Sequence, residues 1–199
     1  EELLSFVETL IVERDELEEE LQKLRRDVHS LTTFDSLTNL PSRGQYMPTL
    51  RQEVARAKRY ERSLSLILID IDEFSSLNSR FGHKAGDAVL EKIATTVSKV
   101  ARDSDFIART GGDEFAIILT ETDSMGGRIF AERIRAAIES IKVGHEQHTI
   151  RFSASVAGVS LADLKLDSPD HETLHASSLM ALRKLRERGP NRVVWVNSR

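Results

Sequence analysis

The sequence predicts an α+β domain with a central, mainly antiparallel sheet and helices on one side, preceded by a long coiled-coil helix. Segments with strand and helix character alternate between residues 64 and 196, in the order β-α-α-β-β-α-β-α-β. A pair of glycines separates two neighbouring strand-forming segments, which is typical of an antiparallel hairpin. Near the start of the chain, leucine recurs at every seventh position, which indicates a coiled coil.

Length and composition limit the possible functions. At 199 residues, the chain suits one globular domain with an appendage. The net charge of −4 argues against nucleic-acid binding, which favours a basic surface. The absence of cysteine excludes disulfides and thiolate metal sites, and favours a reducing, cytoplasmic location. No signal peptide is visible, and no apolar run reaches the roughly 18 residues that a membrane span needs.

Residues 1–33 carry the heptad pattern of a parallel dimeric coiled coil. The d positions are all leucine, at Leu3, Leu10, Leu17, Leu24 and Leu31. The a positions are apolar at Val7, Leu21 and Val28, and polar at Arg14, which costs stability and either fixes the register or permits a change. We expect a signalling and dimerisation helix over 1–33 and a second domain over 34–199. The alternative is an amphipathic helix packed on its own domain.

Periodicity predicts the remaining elements. Residues 64–70 form a nearly continuous apolar run, which indicates a strand buried on both faces. Apolar residues at helical spacing predict helices over 45–60, 74–81, 87–100, 124–141 and 173–188. Two further strands are predicted over 148–159 and 192–196, and Trp195 on the last of them is expected in the core.

The glycine turn carries the strongest chemical signal. Gly111 and Gly112 are followed by Asp113 and Glu114, and then by an apolar strand. Glycine allows positive φ angles and close approach of a ligand to the backbone. Carboxylates at such a turn suit hard cations, which in turn bind phosphates. Asp70 ends the apolar strand opposite this hairpin, so the sequence predicts a divalent metal site between Asp70 and Asp113. The alternative is that these acids are solvated at strand ends.

The run from Arg109 to Phe115, R-T-G-G-D-E-F, resembles the signature of the GGDEF family, the diguanylate cyclases. The resemblance extends over about residues 35–196. Its other landmarks occur in order, namely D-S-L-T-N-L-P at 35–41, Asp70-Ile71-Asp72, Asn78, Gly82-His83, Gly86-Asp87, Gly189 and Asn191. It implies a ferredoxin-like, cyclase-palm fold and a homodimer that condenses two GTP molecules into cyclic di-GMP and two pyrophosphates.

The resemblance also implies the metal ligands. In similar proteins, Mg²⁺ or Mn²⁺ is bound by the residues that correspond to Asp70, the Ile71 carbonyl and Asp113, with two ions per half-site. Glu114 corresponds to a second metal ligand or a base. Two such ions lower the pKa of a 3′-hydroxyl and neutralise the departing pyrophosphate. Asp72 is expected to be structural.

Asn78 and Asp87 match the family's guanine-binding pair. The Asp87 carboxylate accepts hydrogen bonds from the N1–H and N2 amino group of guanine, whereas adenine offers no such donors. The alternative is that both residues are helix caps. By the same resemblance, Gly111, Gly112 and Arg186 are expected near the substrate.

Arg102 and Asp105 match the R-x-x-D site at which many relatives bind their product. Arg102 is suited to phosphate and guanine, and Asp105 to the guanine edge. Feedback inhibition by cyclic di-GMP is therefore expected. The alternative is a solvated loop.

The chain departs from the family pattern at three positions. Ser75 stands where a phosphate-binding lysine is usual, Pro190 replaces an arginine, and Ala157 replaces a glycine. A charged hydrogen bond contributes about 1.5–3 kcal/mol, so each lost cation weakens triphosphate binding roughly ten- to a hundredfold. Arg186 keeps its charge, and nearby basic residues could compensate, namely Lys84, Arg183 and Arg188.

These features predict a cyclase whose two protomers each hold one GTP, so that the dimer geometry controls the rate. The chain begins within a helix and without methionine, so we expect an upstream sensor domain in a longer protein. Two alternatives remain, a catalytically weak module that binds GTP or cyclic di-GMP as a sensor, and a purely structural dimerisation domain.

Overall fold

The computed structural model describes residues 33–145, 148–164 and 168–197. The helices are α1 (Arg43–Arg59), α2 (Phe74–Phe81), α3 (His83–Val100), α4 (Ser124–Glu139) and α5 (His171–Arg186). The strands are β1 (Leu64–Ile71), β2 (Phe106–Arg109), β3 (Glu114–Thr120), β4 (Val143–His145), β5 (His148–Ile150), β6 (Ala154–Ser160) and β7 (Val193–Trp195). The predicted coiled coil lies outside these residues apart from Thr33. None of the described helices combines the length and apolarity that crossing a membrane requires.

A five-stranded sheet in the order β2-β3-β1-β6-β7 forms the centre of the domain. β1 lies in the middle and pairs antiparallel with both β3 and β6, while β2 extends β3 as an antiparallel hairpin. Only the β6–β7 pairing is parallel. The predicted α+β class with a mainly antiparallel central sheet is therefore confirmed.

Helices cover both faces of this sheet, so the prediction that they lie on one side is wrong. All eight residues of β1 are buried. Leu64, Leu66 and Leu68 pack in a cluster with α1 and α5. The alternate residues of β1, such as Ile67 and Ile69, point to the other face and pack in a second cluster with α3 and α4. A strand that is apolar on both faces requires cover on both, because each buried Leu or Ile contributes about 1.5–3 kcal/mol only when water is excluded.

Two predicted elements differ from the observed ones. α3 begins at His83 rather than at residue 87, because Gly82, with φ of 83°, ends the preceding turn. The predicted strand over 148–159 is divided into β5 and β6, and β5 pairs with the unpredicted β4 in a separate hairpin. Between β5 and β6, the Ser153 carbonyl accepts a hydrogen bond from the backbone N–H of Asp72 at 3.0 Å. This contact connects the segment to the end of β1.

Trp195 fills a space that glycines leave in two neighbouring elements. The indole is 8 % exposed, and its Nε1–H donates to Asp163 Oδ2 at 2.8 Å. A Cβ atom added at Gly127 in α4, or at Gly158 in β6, would lie 2.2 Å from the indole ring. The prediction that Trp195 belongs to the core is correct, and its packing depends on the absence of side chains at these two positions.

A Gly158→Ala substitution should destabilise the domain by about 1–3 kcal/mol, because the added methyl group overlaps the indole of Trp195. Gly144→Ala is the matched control, since nothing lies within 4 Å of a Cβ atom there. Urea unfolding followed by circular dichroism measures both. Equal midpoints for the two variants would contradict this account of the packing.

Candidate active site

The ends of β1 and β3 bring the predicted metal-binding residues to adjoining positions. Asp70 on β1 is the direct cross-strand partner of Glu114 on β3. The backbone N–H of the next residue, Ile71, donates to the Asp113 carbonyl at 3.3 Å. Neighbours across antiparallel strands point to the same face of the sheet, so the Asp70 and Glu114 side chains share the face that α1 and α5 cover.

The Asp70 carboxylate is 2 % exposed, at the point where the apolar part of β1 ends. Arg186, the last residue of α5, contacts Asp70 Oδ2 through Nη2. Apart from this guanidinium, no donor among the described residues forms a hydrogen bond with that buried oxygen. Burial lowers the pKa of Arg186 from its ordinary value. A buried carboxylate is unstable without a nearby cation or hydrogen-bond donors. Here the cation is Arg186, which was predicted from the sequence to bind substrate.

Asp113 and Glu114 are half-buried. Burial raises the pKa of Asp113, and its own backbone and the Arg109 charge oppose this effect. Burial also raises the pKa of Glu114, and the negative charge of Asp113 adds to the effect. The guanidinium groups of Arg43 and Arg183 act in the opposite direction on Glu114. Two neighbouring carboxyls that resist ionisation are in a setting that a bound cation would stabilise.

The turn between β2 and β3 comprises residues 110–113, and it is closed by a hydrogen bond from Thr110 N–H to the Glu114 carbonyl at 2.9 Å. Neither Gly111 nor Gly112 has a positive φ, so the expected conformational reason for glycine does not apply. At Gly111 the reason is space, because an added Cβ atom would lie 3.3 Å from Glu114 Oε2. Nothing lies within 4 Å of a Cβ atom at Gly112, which is exposed and leaves the turn open to a ligand.

Arg109 holds this turn, and the sequence analysis did not identify it. Its guanidinium donates to the Gly112 carbonyl, with Nη2 at 2.6 Å, and forms an ion pair with Asp35 at 3.0 Å. Burial tends to raise the pKa of Asp35, but two hydrogen bonds from Thr38 and the Arg109 charge outweigh it, so that pKa is lowered. The ion pair links the segment around Asp35 to the glycine turn. The only available signal was the position of Arg109 two residues before the glycine pair.

The residues that could hold a metal ion are all oxygen donors. Across the described ranges, no group of three or more His, Asp or Glu side chains is arranged to bind a metal ion. The carboxylates of Asp70, Asp113 and Glu114 are therefore not gathered into such a group, and a bound ion would have to draw them together with the Ile71 carbonyl. Carboxylate and carbonyl oxygens are the ligands that Mg²⁺ and Mn²⁺ prefer, so the chemistry of this set fits such an ion.

Asn78 and Asp87 lie within helices and do not cap them. Asn78 belongs to α2 and Asp87 to α3, whose N-cap positions are Glu73 and Gly82. The Asn78 Oδ1 atom is buried and has no hydrogen-bond partner among the described residues. A Cβ atom at Gly86 would lie 2.0 Å from that oxygen, so the start of α3 packs closely on Asn78. Asp87, the next residue, is exposed. The alternative that both residues are helix caps is therefore wrong.

A cavity of about 770 Å³ lies between the glycine turn, α1 and α5. Asp113 and Glu114 line it together with Arg43 and Arg183, while Asn78 and Asp87 do not. On its α5 side, His175 Nδ1 is 3.0 Å from the hydroxyl of the buried Tyr46. Burial lowers the pKa of His175, which favours the neutral imidazole in this contact. The residue pattern did not predict this cavity.

The predicted inhibitory residues share one turn before β2. Asp105 Oδ2 accepts a hydrogen bond from the Arg102 backbone N–H at 2.9 Å. Asp105 Oδ1 is buried and has no hydrogen-bond partner among the residues described. Arg133 of α4 donates to the Val100 carbonyl at 3.2 Å, which places a second guanidinium beside this turn. Arg133 is distant in sequence, so the residue pattern could not indicate it.

Two of the three positions that depart from the family pattern are exposed, and the third is buried. Ser75 is exposed on α2, and Pro190 is exposed in the turn after α5. Of the basic residues suggested as compensation, Arg183 lines the cavity beside Glu114, whereas Lys84 and Arg188 are exposed outside it. Ala157 is buried in β6 and pairs with Leu68 of β1.

Comparison with known proteins agrees with this geometry. The family model "Diguanylate cyclase, GGDEF domain" matches residues 32–192. The diguanylate cyclase DgcP of Pseudomonas aeruginosa is 43% identical over 126 residues, which are 63% of this chain and 19% of DgcP. The diguanylate cyclase DosC of Escherichia coli K12 is 36% identical over 165 residues, which are 81% of this chain and 35% of DosC. The chain thus spans about a fifth to a third of these relatives.

A solved structure shows the same architecture. The coiled coil and GGDEF domain of DgcB from Caulobacter crescentus, crystallised in complex with c-di-GMP, matches with a TM-score of 0.75 and 26% identity. The match covers 98% of this chain and all of that one. The family model matches most of the chain, and the fold, the paired carboxylates and the glycine turn are consistent with it, so this chain belongs to the GGDEF-domain family of diguanylate cyclases.

Proposed function

We propose that this domain condenses two molecules of GTP into cyclic di-GMP and two pyrophosphates. The observation that carries the proposal is the cross-strand pairing of Asp70 with Glu114, next to Asp113 on the glycine turn. Family membership and the cyclases among the relatives support the reaction. In the reaction, each 3′-hydroxyl oxygen would form a bond to the α-phosphorus of the other GTP. The bond from that phosphorus to the oxygen shared with the β-phosphate would break, pyrophosphate would leave, and the hydroxyl proton would pass to Glu114 or to water.

The guanine base would be held by Asn78 and Asp87. The buried Oδ1 of Asn78 lacks a donor among the described residues, and a guanine amino group would supply one. Asp87 follows Gly86, which packs on Asn78, and its exposed carboxylate would accept hydrogen bonds from the same edge of the base. Adenine lacks these donors and would lose the hydrogen bonds to the carboxylate, each of which contributes about 1.5–3 kcal/mol. The arrangement therefore favours GTP over ATP.

Asp70, Asp113, Glu114 and the Ile71 carbonyl would hold Mg²⁺ or Mn²⁺, with two ions in each half-site. Such ions lower the pKa of the attacking hydroxyl and stabilise the charge of the departing pyrophosphate. Asp70 supplies a fixed, buried carboxylate, whereas Asp113 and Glu114 supply carboxylates from a turn with open space at Gly112. Arg186 reaches Asp70 from α5 and would contact the terminal phosphates.

Positive charge at the site would come mainly from α5. Arg186 and Arg183 both lie on the last two turns of that helix, and Arg183 lines the cavity beside Glu114. These groups would partly replace the lysine and arginine that the family places at the positions of Ser75 and Pro190. We therefore propose a functional but weakened triphosphate site.

The reaction requires two protomers, because each would hold one GTP and the two molecules must meet. We propose a homodimer formed through the parallel coiled coil of residues 1–33, which would set the distance between the half-sites for an upstream sensor. The ion pair between Asp35 and Arg109 would connect that helix to the glycine turn. The chain is shorter than its relatives, which is consistent with further domains in the whole protein.

A second candidate function is a sensor module that binds GTP or cyclic di-GMP without turnover. Ser75 and Pro190 favour it, because each removes a cation that the family uses for the triphosphate. The intact set of Asp70, Asp113 and Glu114 favours catalysis. Nucleotide binding without product formation would select the sensor.

Incubation of the dimeric protein with GTP and Mg²⁺ should yield cyclic di-GMP, identified by chromatography and mass spectrometry. Asp113→Ala should reduce product formation at least a hundredfold, because it removes a metal-binding carboxylate. Glu91→Ala, at an exposed acid on α3, is the control and should retain full activity. A folded wild-type dimer that binds GTP but forms no product would contradict the cyclase proposal.

The affinity for Mn²⁺ should fall as the pH is lowered from neutral to mildly acidic values. Burial raises the pKa of Asp113 and Glu114, so both carboxyls take up protons at a higher pH than ordinary acids and compete with the metal. Without metal, folding favours the protonated forms, so these groups reduce stability as the pH rises through their folded-state pKa values. Thermal unfolding with and without Mn²⁺ across this range measures both effects.

Asp113→Asn provides the control for this pH dependence. It removes one of the two ionisable carboxyls. Both the stabilisation by Mn²⁺ and the change of that stabilisation with pH should therefore decrease. A stabilisation by Mn²⁺ that stays constant with pH in the wild type would contradict the assignment of these carboxyls as ligands.

Cyclic di-GMP should inhibit the enzyme through the turn that carries Arg102 and Asp105. Arg102→Ala should raise the product concentration for half-inhibition about ten- to a hundredfold, because a charged hydrogen bond to phosphate is lost. Arg51→Ala, at an exposed arginine on α1, is the control. Initial rates at increasing product concentration give the result, and unchanged inhibition in the Arg102 variant would exclude this site.

A further inference from the structure

The turn that follows α5 is anchored on Asp72, a carboxylate at the end of β1 that the mechanism above does not use. Asp72 Oδ2 accepts hydrogen bonds from Ser153 Oγ at 2.6 Å and from the backbone N–H of Asn191 at 2.7 Å. Asp72 Oδ1 accepts from Ser155 Oγ at 2.6 Å. Three donors therefore surround this carboxylate and hold the turn against β1.

The side chain of Asn191 fastens the same turn to α4. Its Oδ1 accepts from Arg135 at 2.7 Å, and its Nδ2 donates to Glu139 at 2.7 Å. Asn191 adopts a φ of 59°, a conformation that asparagine tolerates better than most residues. Its backbone N–H points to Asp72 while its side chain reaches the last turn of α4. The turn is thus held from two sides.

Arg186 lies directly before this anchored segment. Gly189 N–H donates to the Arg186 carbonyl at 3.3 Å, with Gly189 at a φ of 103°, so the chain turns tightly at this point. Arg186 contacts Asp70, which precedes Asp72 by two positions on β1. One strand end therefore carries both the site carboxylate and the anchor for the helix end that brings Arg186 to it.

We propose that Asp72 is a positioning residue that holds Arg186 over the site through the turn and Asn191. The inference rests on the proposed function, in which Arg186 contacts the triphosphate. Asp72 itself does not bind substrate or metal in this account, because its oxygens are already occupied by Ser153, Ser155 and Asn191. Its effect on the reaction passes through Arg186 and should disappear when Arg186 is absent.

A double-mutant cycle tests this dependence. Asp72→Asn keeps the shape of the side chain but replaces the charged acceptor with a neutral amide, which weakens the hydrogen bond from the Asn191 N–H. It should raise the KM for GTP about tenfold with little change in kcat, and Arg186→Ala should have a similar effect. The double variant should be no worse than Arg186→Ala alone. If the KM of the double variant rises by the product of the two single-variant factors, the proposal is wrong.

Asp163→Asn is the matched control for a purely structural effect. Asp163 Oδ2 is likewise a half-buried acceptor of more than one hydrogen bond, from Ser124 Oγ and Trp195 Nε1, both at 2.8 Å, yet it lies away from Asp70 and Arg186. Its substitution should lower the melting temperature while leaving the KM unchanged. An equal increase of KM in the Asp163 variant would show that general destabilisation explains the Asp72 result.

A second variant guards against misfolding of Asp72→Asn. Asn191→Gly keeps the positive φ and the backbone N–H but loses the contacts with Arg135 and Glu139. It should raise the KM for GTP by a smaller factor than Asp72→Asn, and this effect should also vanish in the Arg186→Ala background. A KM effect that persists without Arg186 would contradict the proposal.

Calorimetry with a non-hydrolysable GTP analogue separates this inference from the proposed function. If the wild type binds the analogue but makes no cyclic di-GMP, the cyclase proposal fails, while the same cycle measured on Kd still tests the role of Asp72. If the wild type makes product and the two substitutions act independently, the positioning role fails and the cyclase proposal stands.

Discussion

The burial of a carboxylate at the end of an apolar strand is the constraint on which the rest of the site depends. β1 is buried along its whole length, so helices must cover both of its faces, and Asp70 reaches the boundary of that core at 2 % exposure. An unpaired charge there would be unstable. The fold supplies Arg186 from the end of α5, and the antiparallel register supplies Glu114 from β3. The position of Asp70 thus determines which elements must meet beside it.

The surroundings of Asp70 differ from those of Asp72, although both lie at the same strand end. Asp72 is satisfied by three donors from the protein and serves the fold. The other carboxylates lack such a set of donors. Asp70 depends on the guanidinium of Arg186 alone, and burial raises the pKa of Asp113 and Glu114. A bound cation would stabilise the ionised form of these carboxylates, because the protein itself provides them with few donors.

Much of the fold and the location of the site could be predicted from the sequence, because both depend on local patterns. The glycine turn indicates the β2–β3 hairpin and the apolar run indicates the buried strand β1, and the pairing of β1 with β3 sets Asp70 opposite Glu114. Contacts between distant segments could not be predicted. The ion pair of Arg109 with Asp35 joins positions far apart in sequence, and the cavity exists only because α1 and α5 pack on one face. The β4–β5 hairpin was missed because three-residue strands carry little periodicity.

Trp195 is the only tryptophan in the chain, and it lies on β7, directly after the turn that Asp72 anchors. Its indole is enclosed by α4 and β6 and donates to Asp163. The tryptophan fluorescence of the protein therefore comes from one defined, buried site. Its emission spectrum and quenching by iodide would report on the solvent access of this edge strand without any label, and a nucleotide that orders the preceding turn would change both signals.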